Sequence, residues 1–240
     1  MRKITSIVFL MVSMALFTLS APQTHRHLTT PCGEKIDTIQ QCPKSGCGEN
    51  GDALLNEVKN AVPATTSGES RTINDFINLP QPTRWNTGAN RTFADSGKEG
   101  TMVEVRGYIL AVKPEAGESC NCELTDRPNI DVYIALVADA QEDDENNSIT
   151  AEVTPRMRQA GHPNWTYLKL KDLEGDYVKL VGQLMLDTGQ IPQASKLPGE
   201  HPAKKLKRAT NWEVHPITAL WVCTKSKNAC DRGSGWKAVP

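Results

Sequence analysis

Three groups of residues in this sequence have types and spacings that could do chemistry. Asp131, Glu152, Glu213 and His215 lie in stretches where apolar and polar residues alternate. If the polar positions of those stretches share one side of a sheet, three carboxylates and an imidazole converge there. Such a set binds a divalent cation or moves protons, and Arg156 nearby could neutralise a phosphate. The same four residues also read as ordinary surface groups, with His215 beside Pro216 fixing a strand end by a hydrogen bond. The second group is basic: Lys204, Lys205, Lys207 and Arg208, in a loop that either follows a phosphate backbone or only keeps the chain soluble. The third is the set of seven cysteines. No Ser-His-Asp spacing, phosphate-cradling glycine loop or H-E-x-x-H motif occurs.

Whether the first group can meet depends on the elements that carry it. From about residue 101, Val103, Val105, Gly107 and Ile109 alternate with Glu104, Arg106, Tyr108 and Leu110, which predicts a strand with one buried face. After a polar loop at 114–129, Val132, Ile134 and Leu136 alternate with Asp131, Tyr133 and Ala135. Ile149, Ala151 and Val153 alternate with Thr150, Glu152 and Thr154, and Pro155 ends that strand. Trp165, Tyr167, Leu168, Leu170 and Leu173 then predict a helix closed by Gly175. Val178, Leu180, Gly182, Leu184 and Leu186 give a fourth strand, and Trp212, Val214, Pro216, Thr218, Leu220 and Val222 a fifth.

Three strands, a helix and two strands over residues 101–222 is the order of a five-stranded OB barrel, with SH3-like and other small barrels as competitors. The fold class expected is therefore mainly β, with an irregular N-terminal arm. Ligands of OB barrels usually meet strands 2 and 3 and the loops joining strands 1 to 2 and 4 to 5. That rule puts Asp131, Tyr133, Glu152 and Thr154 on the outward ligand side, with the Lys204–Arg208 cluster in the last of those loops. One aromatic and two carboxylates make a poor stacking platform for bases. The charge balance is equally plain: 27 Lys+Arg against 28 Asp+Glu overall, and 17 against 19 from residue 101 onward. It excludes a strongly basic nucleic-acid binder or an acidic tail protein as the whole answer. At 38% hydrophobic residues the chain can build one medium core, and it is too polar for a polytopic membrane protein.

The N-terminus points to export. Arg2 and Lys3, an apolar run over residues 4–19, and Ser20-Ala21-Pro22 describe a secretory signal peptide cleaved near Ser20 or Ala21. The mature chain is then expected to be periplasmic or extracellular, without a transmembrane anchor. In an oxidising compartment the cysteines read as disulfide partners. Cys223 and Cys230 close a short loop, and Cys42 and Cys47 form a similar local candidate that leaves Cys32 unassigned. Cys120 and Cys122 could bridge each other only in a tight, strained loop, and an odd total leaves one thiol free or paired between chains. A zinc site among the first three cysteines lacks the usual C-x-x-C spacing.

The domain expectation follows: signal peptide 1–20, a Cys-containing arm and linker 21–100, a barrel 101–222 and a tail 223–240 with a local disulfide. Within the arm, Asp52 caps a short amphipathic helix carrying Ala53, Leu54, Leu55 and Val58, stopped by Asn60 and Pro63. Residues 63–100, rich in Thr, Asn, Gly and Pro, read as a linker or wrap with one apolar cluster at Ile73, Phe76, Ile77 and Leu79.

Several strings occur in a telling order: E-S-C-N-C at 118–122, E-V-T-P-R-M-R at 152–158, G-Q-L-M-L-D at 182–187 and N-W-E-V-H-P at 211–216. S-G-C-G at 45–48, Gly51-Asp52, Leu55-Asn56 and Lys59-Asn60 precede them. Together they resemble a family of exported, mostly bacterial proteins that have an OB-like domain and no assigned activity. The resemblance spans most of residues 45–222 and implies export and the barrel. Relatives often carry a histidine two residues after the second strand's Asp and another three after the fourth strand's Asp. This chain has Tyr133 and Gln190 there, which weakens an enzymatic reading.

The functional expectation is an exported OB-like binding module whose ligand is not fixed, a nucleic acid or another polyanion being one class. The alternatives are a metal-dependent phosphoesterase or nuclease, and an envelope structural protein. No cofactor is expected except a divalent cation under the hydrolytic reading.

Overall fold

A computed structural model of the chain describes residues 29–33, 35–49, 51–81, 94, 97–189 and 208–240. The expected signal peptide, Gln190 and the lysines Lys204, Lys205 and Lys207 lie outside the described residues. Among the described residues no helix is long and apolar enough to cross a membrane.

In chain order the elements are α1 (Ala53–Lys59), β1 (Glu69–Arg71), α2 (Ile73–Ile77), β2 (Met102–Glu115), β3 (Asp131–Val137), β4 (Ile149–Val153), α3 (Pro155–Ala160), α4 (Tyr167–Lys171), β5 (Tyr177–Leu186), β6 (Trp212–Cys223), α5 (Lys227–Asp231) and β7 (Trp236–Ala238). Strands β2 to β6 close on themselves: β2 pairs β3, β3 pairs β4, β4 pairs β6, β6 pairs β5 and β5 returns to β2. All these pairings are antiparallel except β4 with β6, where Thr150 faces Glu213 and Ala151 faces Val214. Relabelled as barrel strands one to five, this order is 1-2-3-5-4-1, with the helices between the third and fourth. That is an OB barrel.

Closure depends on β2, whose fourteen residues are enough to serve two neighbours. Its first half pairs β5 from Met102↔Gln183 to Tyr108↔Tyr177, and its second half pairs β3 from Tyr108↔Val137 to Glu115↔Asp131. The register slips between Ile109 and Ala111, the irregularity that turns the strand from one neighbour to the other. Gly182 sits at a similar slip between β5 and β6, where a Cβ would lie 2.4 Å from the Pro216 carbonyl oxygen.

The alternating apolar positions fill the barrel: Val103, Val132, Ile134, Ala151, Val153, Leu180 and Val214 belong to one buried cluster. The segment read as a linker contributes to it, because α2 places Ile73 and Phe76 in the same cluster. Thr72 and Asp75 close a capping box that fixes where α2 starts. Two buried tryptophans satisfy their ring N–H on the backbone of flanking segments. Trp165 donates to Val239 O at 3.0 Å and Trp212 to Pro80 O at 2.8 Å. The helix expected before β5 is α4, and a further short helix, α3, precedes it and is ended by Gly161 (φ 156°).

The arm departs furthest from expectation. Cys32 is bridged to Cys47 and Cys42 to Cys122, so the local Cys42–Cys47 pairing is wrong. Cys120 is a free, buried thiol, and Cys223 is bridged to Cys230. Spacing shows which cysteines can reach each other, whereas the arm's docking decides which do. Cys47 N–H donates to Ser119 O at 3.0 Å, laying the 42–47 turn against the loop after β2 and bringing Cys42 to Cys122. Gly46 (φ 65°) makes that approach possible, since a Cβ there would sit 2.1 Å from Ser119 O.

Helix α1 begins as read, with Asp52 accepting from Leu54 N and Leu55 N. Its buried side carries Leu55 but is otherwise polar. Asn56, Lys59 and the C-cap Asn60, spaced three and four apart, face the barrel, while Leu54 is 49% exposed.

Candidate functional site

The outer face of β3, β4 and β6 carries the residues that sequence alternation set outward, and on one point the expectation fails. Asp131, Tyr133, Glu152, Glu213 and His215 point away from the barrel core, yet each is 5% exposed or less. Lys59 of α1, Glu118 of the 116–123 loop and Arg208 lie against them. Asn60 joins the layers by donating to Lys44 O at 2.9 Å and to Cys120 O at 2.8 Å, and Asn56 donates to Ser45 O at 2.9 Å.

Two expected phosphate ligands have other duties. Arg208 is buried rather than in a solvated loop: it donates to Glu213 Oε2 at 2.6 Å and to Thr150 Oγ1 at 3.1 Å, and stands 3.7 Å from Asp187. Arg156 donates to Asn60 Oδ1 at 2.9 Å and to Cys42 O at 2.7 Å, so it ties the arm to α3. Burial fits Arg208 better than Lys, because a planar guanidinium satisfies several fixed acceptors at once.

Asp131, Glu152, Glu213 and His215 do come together. His215 Nδ1 lies 3.0 Å from Glu152 Oε2 and 3.2 Å from Glu213 Oε1. One atom from each of Asp131, Glu152 and His215 falls within 4.8 Å of the others. Two further trios satisfy the same limit and share members: Glu118, Cys120 and Asp131, and Glu115, Glu118 and Glu152. The ladder explains this proximity, since Asp131 is the cross-strand partner of Glu115 and Glu152 lies two residues beyond the Thr150–Glu213 pair. Above them, Lys59 Nζ reaches Glu118 Oε1 at 2.8 Å and Asp187 Oδ2 at 3.3 Å.

Titration in this patch follows from the crowding. Burial first, and then the charge of Glu118, push Asp131 well above the usual carboxylate range. Burial, Glu152 and Glu118 raise Glu115 to about 8. Burial would raise Glu152 as well, but His215 outweighs it and leaves that carboxyl below its ordinary value. Burial disfavours charge on His215, yet Glu152 and Glu213 together hold the imidazole protonated well above its usual pH. For Asp187, Lys59 and Arg208 overcome burial and bring the value down to about 2.

Six carboxylates, on Glu115, Glu118, Asp131, Glu152, Asp187 and Glu213, thus face Lys59, Arg208 and His215. Arg156 and Arg158 lie near enough to feel Asp131, but Arg158 donates to backbone carbonyls, including Ile130 O at 2.6 Å. Both Asp131 oxygens and His215 Nε2 are buried without a hydrogen-bond partner. Water reaches the edge of the patch through a cavity of about 310 Å³ lined by Glu49, Asp52, Lys59, Glu118, Glu123 and Asp187 among others. A larger hollow of about 750 Å³ lies by α3 and α4, between Pro128, Pro155, Tyr167 and Leu168, and its lining has no carboxylate, histidine or cysteine. Arg127 and Arg158 also line the larger hollow, whereas Glu118 and Asp187 of the carboxylate cluster line the smaller cavity.

Alternation alone missed Lys59, Glu115, Glu118 and Asp187. Three of these stood in the strings that carry the family resemblance: Lys59-Asn60, E-S-C-N-C and G-Q-L-M-L-D all end at this seam.

No protein-family model matches the sequence, and no curated protein matches it. Among solved structures, the chain is similar to the crystal structure of yeast Stn1 and Ten1. The identity is 12% over 75% of this chain and 76% of that one, with a TM-score of 0.37. The barrel assignment stands on the closed strand order rather than on this likeness.

Proposed function

We propose that this is an exported OB-barrel binding protein whose ligand enters at the seam between the arm and the barrel, and that the ligand is cationic. Export is supported by the signal-like N-terminus, by the resemblance to an exported family, and by three disulfides among the described residues. One observation carries the choice of ligand: the charged lining of the seam cavity is Glu49, Asp52, Glu118, Glu123 and Asp187 against Lys59 alone, and Lys59 is already paired. A cavity lined this way concentrates cations and repels phosphates.

The polyanion reading loses Arg156 and Arg208 to internal bonds, and Lys204, Lys205 and Lys207 lie outside the described residues. Calorimetric titration of the disulfide-bonded protein with spermidine, and separately with oligothymidylate, tests the choice. Spermidine binding that weakens with added salt and falls at least tenfold in Glu118→Gln is the expected result. Salt-sensitive retention of the oligonucleotide without spermidine binding would reverse the assignment and favour a nucleic-acid partner.

A further inference from the structure

We infer that Asp131, Glu152 and His215 form a binding site for one divalent first-row metal ion, reached through the seam cavity. This rests on the cationic-ligand reading above and narrows it to a metal centre.

Three observations converge. The three side chains come from three adjacent strands, are each no more than 2% exposed, and bring ligand atoms within 4.8 Å of one another. Ligands about 2.1 Å from a shared ion stand roughly 3 to 4.2 Å apart, so only a small closure is required. Secondly, both oxygens of Asp131 and Nε2 of His215 are buried with nothing to bond to, which is costly unless something absent from a bare chain completes them. Thirdly, His215 Nδ1 lies 3.2 Å from Glu213 Oε1 as well as 3.0 Å from Glu152 Oε2, and Arg208 holds the other oxygen of Glu213. A carboxylate that accepts a hydrogen bond from the ring and is itself fixed by a guanidinium orients the imidazole, the usual outer-shell arrangement for a ligating histidine.

The donor set selects among metals. Calcium wants six to eight oxygens and magnesium a near-octahedral oxygen shell, whereas two carboxylates and one imidazole suit manganese, iron or zinc. Glu118 connects this centre to solvent: it lines the cavity and lies within the same distance limit of Asp131 and Cys120. Entry of the ion would run past Glu118, from the cavity to the three ligands.

The test uses the full disulfide-bonded chain after chelator treatment. Mn2+ and Zn2+ are titrated by calorimetry, and melting is followed with and without each ion. Saturable binding of one ion per chain is expected, with a melting rise of roughly 5 to 10 °C when the free ion is about a hundred times Kd. Asp131→Asn and Glu152→Gln should each weaken binding at least tenfold. Metal-free Asp131→Asn should melt no lower than the parent, since it removes an unpartnered carboxylate, and its loss of binding is then not a loss of fold. With Co2+, the visible absorption of the parent should change in His215→Gln, reporting imidazole ligation. No binding of Mn2+, Zn2+ or Co2+ by the stripped parent, or binding unchanged by Asp131→Asn, would overturn the inference. If spermidine binds and none of the metals does, the metal centre falls and the acidic cavity stands; if neither binds, both fall.

Discussion

Two appendages are stapled to the same barrel by disulfides, and they treat charge in opposite ways. At the C-terminal end, α5 and β7 pack beside β2, β5 and β6 with the Cys223–Cys230 bridge at their base. There Glu104 pairs with Arg106 at 2.8 Å, Lys227 with Asp231 at 2.7 Å, and Lys179 lies 4.2 Å from the Trp221 ring centre. These charged side chains remain 18% to 44% exposed. Under the N-terminal arm, by contrast, the side chains of Lys59, Glu118, Glu152, Asp187, Arg208, Glu213 and His215 are all 12% exposed or less. Water completes whatever the first patch leaves unpaired. No such completion is open to the second, and the two unpartnered oxygens of Asp131 there are what the proposed metal site would satisfy.

The contrast can be broken at its staples, its ion pairs and its titration. Replacing Cys42 and Cys122 together by Ala should cost about 4 kcal/mol, because that bridge spans a sequence separation of 80, whereas the Cys223/Cys230 double variant, with a separation of 7, should cost about 2. Chemical denaturation of both variants reads the difference. Arg208→Met strips the buried Glu213 of its partner and should cost about 3 kcal/mol, whereas Lys227→Met, at a wet pair spaced by one helical turn, should cost only about 0.3.

A third difference appears in acid. Asp187 has a folded value of about 2 against 3.8, so its contribution is full above about pH 4 and disappears as pH falls towards 2. Melting temperatures across that window should drop, and Asp187→Asn should remove roughly 2 kcal/mol of the total loss, flattening the curve. In the C-terminal patch, Asp231 is held down mainly by its hydrogen bond with Lys227 but is solvated. Asp231→Asn should leave the slope nearly unchanged.

Much of this was legible in the sequence, and the parts that were not share a cause. Period-two alternation marked all five barrel strands because each keeps one face in a dry core, and the same alternation put Asp131, Glu152, Glu213 and His215 on a common side. It could not say what lies over that side. Residues 29–48 carry no period, and the docking of the arm and α1 is decided by contacts such as Asn60 to Cys120 and Gly46 against Ser119, which depend on positions 60 to 73 residues apart. Exposure was therefore wrongly assigned, Cys42 was paired with Cys47, and Arg208 was read with its lysine neighbours as solvated. Helix α1 was misjudged for a related reason. Its Leu54 and Leu55 drew attention, while Asn56, Lys59 and Asn60 form the face that matters.

The most direct test is a crystal structure of the disulfide-bonded protein grown with Mn2+ and measured at a wavelength where manganese scatters anomalously. The account predicts one strong anomalous peak about 2.1 to 2.3 Å from Asp131, Glu152 and a ring nitrogen of His215, beneath an arm still held by Cys42–Cys122. A peak only at surface carboxylates such as Glu49 or Glu142, with Asp131 still lacking a partner, would contradict it.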